Sequence, residues 1–321
     1  MMKHAHAARS VTDTRATTRM PDDAAAAGFD TVYQLGLWER GKNASWLKTH
    51  NYGPGTGGGS GPGSTPQSTR ELCTLLVHLI LSLNVRSILD VPCGAMAWMP
   101  IALHEATSLL RIDGIVGEHD ASVEKRHLTY IGVDVAKSVI DQNVARFGGK
   151  SRSFASSWIF LHEDMSTDTF LSRMRQLSQG HDGGPSGSAS IQVPLDLVFS
   201  RDAFFHMQLE KIHAALSNFC SLVGSGARYL LATHNPLHKG PNTNNATWTA
   251  GKTLHAEERA QLPPGFTGKL GEGGFRAVNL HAPPFNLPQP RWQYSETQDR
   301  TKMMGLWDLR EPWCKTLRSR V

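Results

Sequence analysis

No run of apolar residues in the 321-residue chain approaches the roughly 20 needed to cross a bilayer. The longest candidate, "LCTLLVHLILSL", follows a helix-start signal and predicts a core helix. Cysteine is scarce: the four residues at 73, 93, 220 and 314 form no CxxC pair and no zinc-finger spacing with histidine. Neither a disulfide scaffold nor a metal site is therefore indicated, and a reducing compartment is expected. The sequons at Asn43 and Asn245 lack an accompanying signal-peptide core and are read as chance. Positive charge is missing from the middle of the chain. The net +5 resides at the two ends, where Lys3, Arg9, Arg15 and Arg19 outnumber Asp13, and Arg310, Lys315, Arg318 and Arg320 outnumber Glu311. A core without basic bias argues against a phosphate-tracking groove and so against nucleic acid as partner. The Arg-rich, acid-poor N-terminus leaves two readings, a disordered tail on a cytoplasmic protein or an organelle transit peptide.

Composition divides the rest. Residues 1–27 are expected to be a disordered tail, and 28–66 an N-terminal segment ending in a glycine-rich cover loop between Trp38 and Tyr52 and the main domain. Residues 67–309 form one domain with insertions near 111–127 and 180–193, followed by a basic tail at 310–321. The domain opens with a capping box, Ser68-x-x-Glu71, and a helical face of Leu72, Leu75, Leu76, Leu79, Ile80 and Leu83 that ends near Asn84. Strands "RSILDV", "LTYIGVDV", "SWIFLHEDM", "LDLVFSRD" and "ARYLLATH" then alternate with helices. One of these helices buries Val139, Ile140, Asn143, Val144 and Phe147 before Gly148; another carries Leu209, Ile212, Leu216 and Phe219 before Gly224. Alternation of this kind predicts right-handed parallel crossovers and a doubly wound α/β sheet whose ligand lies beyond the carboxyl ends of its strands.

Those ends carry Asp90, Asp134, Asp164, the Arg201-Asp202 pair and His234. After the first strand there is no G-x-G-x-x-G, and a complete Walker loop is absent, so the ligand is not expected to be held by phosphates. S-adenosylmethionine fits what is present: Asp90 with the Pro92-Cys93-Gly94 turn for the amino-acid part, Asp134 for the ribose hydroxyls, and Asp164 with Met165 for the adenine. Ser200, at the end of the fourth strand, joins this set. Cys93 has no second cysteine and no base in its turn and is read as a small filler.

"ILDVPCGAMAWM", "YIGVDV", "DLVFSRDAFFHM", "RYLLAT" and "VNLHAPPFNLPQP...GLW" together resemble a mostly bacterial, poorly characterised family of class I S-adenosylmethionine-dependent methyltransferases, over roughly residues 30–308. The resemblance implies a Rossmann-like seven-stranded, mostly parallel sheet with helices on both faces, closed by "RWQYSE" and "TKMMGLWDL" as an antiparallel pair. It also implies that Asp90, Gly94, Asp134 and Asp164 line the cofactor pocket. One departure, Ala95-Met96-Ala97 where the family usually carries an acidic residue after Cys-Gly, motivates an alternative: a degenerate methyltransferase that binds cofactor or a protein partner without turnover.

Methyl transfer is an in-line displacement from a good leaving group, so positioning does most of the work and a base is needed only for a protonated acceptor. Arg201, Asp202 and His206 are the candidate catalytic residues. On a helical turn Asp202 and His206 would share a face as an acid–base pair; otherwise Asp202 caps the next helix and His206 packs beneath it. The acceptor is expected to be a small molecule or glycan oxygen or nitrogen. His234 and Asn235 either contact it or are solvated. The proline-rich stretch 273–290 is expected to form one wall of its pocket through Arg276, Asn279 and Asn286.

Overall fold

The computed structural model describes residues 29–31, 33–34, 60–116, 127–148, 157–180, 194–244, 275–296 and 301–318. Expectations for 1–27, Trp38, Tyr52, most of the glycine-rich run and the 181–193 insertion lie outside these residues. Seven strands form one sheet: β1 (Ser87–Asp90), β2 (Thr129–Asp134), β3 (Ser157–His162), β4 (Leu197–Ser200), β5 (Tyr229–His234), β6 (Trp292–Ser295) and β7 (Met303–Asp308). Their order is β3-β2-β1-β4-β5-β7-β6; the first five run parallel, while β7 is antiparallel to β5 and β6. This is the Rossmann-like seven-stranded arrangement expected. Strands β1 and β4 are buried throughout, whereas the edge strands β3 and β6 are only partly covered. The sequence shows the same gradient, from continuous apolar runs to mixed ones.

Helices cover both faces. Helices α1 (Arg70–Ser82), α2 (Met99–Val116) and α3 (Lys137–Phe147) pack on one side, burying Leu76, Ile80, Ala102, Leu103 and Ile140 against Ile88 and Leu231. On the other side α4 (Asp168–Gln179), α5 (Leu209–Ser221) and α6 (Pro312–Arg318) bury Phe170, Ile212, Leu216 and Leu317 against Val198 and Leu230. Several local expectations at the helix ends meet a correction. The capping box does not form: Thr69 is the N-cap without a side-chain bond, Ser68 pairs with Thr65, and Glu71 accepts from the Tyr294 hydroxyl at 2.6 Å. Val144 faces solvent instead of the core. Helix α5 ends at Leu222, and Gly226, not Gly224, supplies the left-handed turn (φ 98°). Helix α2 extends through the first residues of the stretch read as an insertion. The basic C-terminal residues include the ordered helix α6.

The cysteine reading is also corrected. Cys220 on α5 and Cys314 on α6 form a disulfide across 94 residues, while Cys73 and Cys93 are free and buried. Sequence spacing carried no sign of it because the bond depends on α5 packing against α6 at the far end of the chain. No helix among the described residues is long and apolar enough to cross a membrane.

Candidate functional site

The carboxyl ends of β1 to β4 open into one cavity of about 630 Å³. In the order of the sheet, β3 and β2 contribute Glu163, Asp164, Met165 and Asp134 at one end, and β1 contributes Asp90 and the 92–94 turn in the middle. Arg201, Asp202 and His206 after β4 lie at the other end. Of the residues expected from sequence, Asp90, Pro92, Cys93, Gly94, Asp134, Asp164, Met165, Arg201, Asp202 and His206 all line it. Ser200 does not. Alternation along β4 turns its side chain away from the side of Phe199 and Arg201, and its hydroxyl is buried without a partner among the described residues.

The turn after β1 is built by backbone need. Gly94 takes φ 55° and Met96 φ 54°, and a Cβ on Gly94 would lie 2.7 Å from the Ser60 hydroxyl. Asp134 braces the turn: its two carboxylate oxygens accept from the Gly94 and Ala136 amides, each at 2.9 Å. Burial still wins over these donors and pushes Asp134 up to about 6. Asp90 accepts from the Tyr130 hydroxyl at 2.6 Å, and burial raises it to about 8. The Cys93 thiol is pushed well above its ordinary range by burial, then by Asp134 and Asp90, which leaves it a neutral filler. The Ala95-Met96-Ala97 segment is not bare. The Ala95 amide donates to Ser60 at 2.9 Å, and the Met96 sulfur lies 2.8 Å from the Tyr130 hydroxyl oxygen. Asp164 spends one oxygen on the Ser166 amide and hydroxyl and holds the other 3.6 Å from Lys211.

The β4 end is an ionic cluster that sequence did not reveal. Arg201 donates to Glu296 at 2.7 Å and to the Gly63 carbonyl at 3.0 Å; Lys302 lies 2.7 Å from both Glu296 and Asp202. Burial alone would raise the Asp202 carboxyl, but Arg201 and Lys302, with His206 behind them, hold it at about 2. Asp202 is thus a permanent anion and a weak base. It has φ 57°, and the residues after it form a 3-10 turn, Phe204–His206, rather than an α-helical turn. Gln208, not Asp202, is the N-cap of α5.

Other expectations at this end also change. His234 is neither solvated nor in the cavity: it is fully buried, both ring nitrogens lack hydrogen-bond partners among the described residues, and its ring packs 5.0 Å from His281 and 5.2 Å from Trp307. Asn235 is buried and exchanges backbone-directed bonds with Val278 and Thr301. Within the proline-rich ribbon, Asn279 binds the Pro236 and His238 carbonyls, Asn286 is exposed, and Arg276 is buried, its amide donating to the Phe205 carbonyl at 3.0 Å while its guanidinium has no hydrogen-bond partner among the described residues. The ribbon residue that does line the cavity is Phe275. From the N-terminal segment come Phe29, Tyr33 and Ser60, whose roof is anchored by Asp30 accepting from the Ser138 amide at the start of α3 (2.8 Å). No metal-binding cluster occurs among the described residues.

No protein-family model and no curated protein matches the chain. Among solved structures it is similar to a DUF574-family protein from Streptomyces avermitilis MA-4680, at TM-score 0.42 and 12% identity, covering 88% of this chain and 95% of that one. It is similar to an O-methyltransferase family protein from Burkholderia thailandensis at 0.41 and 10%, covering 88% and 70%. It is also similar to magnesium protoporphyrin IX methyltransferase from Synechocystis PCC 6803 with bound SAH, at 0.32 and 11%, covering 54% and 58%, so that match spans less than two thirds of the enzyme. Identities this low bear on the fold alone.

Proposed function

We propose that the protein is an S-adenosylmethionine-dependent methyltransferase. The observation that carries the reading is the make-up of the β3-to-β1 half of the cavity: Asp90, Asp134, Glu163 and Asp164 line it, and no phosphate loop follows β1. A wall of carboxyl groups repels a pyrophosphate and suits a ligand that offers cationic and hydroxyl donors. Asp90 and Asp134, buried and shifted toward neutral pH, regain their charge when such donors arrive. Asp90 with the 92–95 turn would hold the ammonium of the methionine part, Asp134 the ribose hydroxyls, and Glu163 to Met165 the adenine. Bound there, the cofactor supplies an electrophilic methyl group on a positively charged sulfur.

What remains for the chain is positioning. The ionic cluster of Arg201, Asp202, Glu296 and Lys302 fixes the β4 end and, through Gly63 and Ser64, ties the roof to the sheet. Asp202 is too acidic to take a proton from a neutral acceptor, which leaves His206 as the lining side chain suited to that task. Calorimetric titration with S-adenosylmethionine, S-adenosylhomocysteine, NAD and ATP tests the reading: the first two bind one-to-one and the last two do not. Binding of NAD or ATP in preference to both would sink it.

A further inference from the structure

The β4 end of the cavity has a composition unlike the β3 end. Trp98, Met99, Phe205, Met207 and Phe275 supply its walls. Phe205 and Phe275 meet edge-to-face with centroids 5.2 Å apart, and Phe275 stands at the rim, 36% exposed, where the others are buried. The charged groups among these walls are already matched. Arg201 and Lys302 are ion-paired with Asp202 and Glu296, and Lys211 with Asp164. The Arg201 guanidinium also lies 5.8 Å over the Trp98 ring. Two cations against two carboxylates leave the cluster neutral, so a charged guest entering beside it would be desolvated against aromatic rings without a net opposite charge in the cluster to offset the cost. A planar uncharged guest would instead extend the existing edge-to-face ring packing.

From this we infer that the β4 end is the acceptor subsite and takes a small, uncharged aromatic compound between Trp98 and the Phe205–Phe275 pair. The inference rests on the methyltransferase reading for the word acceptor, and on the cavity alone for the class of guest. Phosphorylated, carboxylated and polymeric nucleic-acid acceptors are excluded by it, and it narrows the small-molecule or glycan class to aromatic molecules. The side chains concerned are specificity residues.

The test uses 2-naphthol and 2-naphthoate as probes, titrated by fluorescence into the full chain, both free and saturated with S-adenosylhomocysteine. Naphthol binds at one site in both forms, naphthoate at least tenfold more weakly, a difference of about 1.4 kcal/mol. Phe275→Ala weakens naphthol several-fold while leaving S-adenosylhomocysteine binding within twofold, and Phe205→Ala separately weakens naphthol as well. Phe275, being at the rim, is the variant least able to disturb folding. Naphthoate binding as well as naphthol, absence of naphthol binding to both forms, or naphthol binding indifferent to both variants would overturn the inference. Failure of S-adenosylhomocysteine to bind, with naphthol behaving as stated, would overturn the methyltransferase reading and leave the aromatic site standing.

Discussion

Under the methyltransferase reading, Asp90 sets a sharp condition on how the cofactor binds. Its carboxyl is 3% exposed, and burial pushes it up to about 8 although Tyr130 donates a 2.6 Å hydrogen bond to it. At pH 7 only about one molecule in ten of the free protein carries the ionised form, which lowers affinity for a cationic ligand about tenfold, ~1.4 kcal/mol, relative to a fully ionised site. Binding therefore ejects close to one proton. Affinity should climb roughly fivefold to eightfold between pH 6.5 and 7.5, a window above the Asp134 value of about 6 and ending just short of the ligand's own α-amino value of about 7.7–8.0. Calorimetry of S-adenosylhomocysteine in phosphate and in Tris, whose ionisation enthalpies differ, reads the released proton directly. Asp90→Asn should remove both the slope and the buffer dependence. A flat or falling affinity in the wild type, or an unchanged slope in the variant, would refute the reasoning. The same shift has a cost: because the folded protein prefers the protonated Asp90, its unliganded stability falls as pH rises from about 4 to about 8.

His234 predicts the opposite sign. Burial and then His281 lower it to about 3, so the stability its neutral form contributes is present above the ordinary histidine value of 6.5 and is lost as pH falls toward 3. By pH 5 the loss is about 2 kcal/mol; His234→Phe, which gives up no hydrogen bond, should be near neutral at pH 7.5 and flatten the acid limb of chemical denaturation. The Cys220–Cys314 disulfide closes a long loop and contributes ~2–4 kcal/mol. Reduction should lower the melting temperature by roughly 3–8 °C, and intact mass after alkylation in denaturant without reductant should show two modified thiols, not four. Glu296→Ala leaves Arg201 and Lys302 to share Asp202 as their one carboxylate in the cluster and should cost ~3 kcal/mol, whereas the double variant Arg201→Met with Glu296→Leu should recover most of it in urea melts.

The sheet was legible because its strands are short apolar runs that stop at polar residues, and those stops are local. Asp90, Gly94, Asp134 and Asp164 were found for the same reason: each sits where a strand ends, and strand ends converge in this fold. Ser200 failed by one residue of alternation, which no local signal fixes at the last position of a strand. The partners that redefine Arg201 and Asp202 come from Glu296 and Lys302, about a hundred residues later, and their contact exists only because β7 returns antiparallel beside β5. His234 was misplaced likewise, since its cover is His281 and Trp307 from the closing segments. Local pattern thus located the β3-to-β1 half of the cavity, and long-range packing determined the other half.

The most direct measurement of the central claim is the structure of the protein with S-adenosylhomocysteine bound. The account predicts the ribose hydroxyls on Asp134, the homocysteine amine on Asp90 beside the Gly94 turn, the adenine beside Met165, and the sulfur facing Trp98 and Phe205. A ligand lying in the reverse direction, or bound away from Asp90 and Asp134, would contradict it.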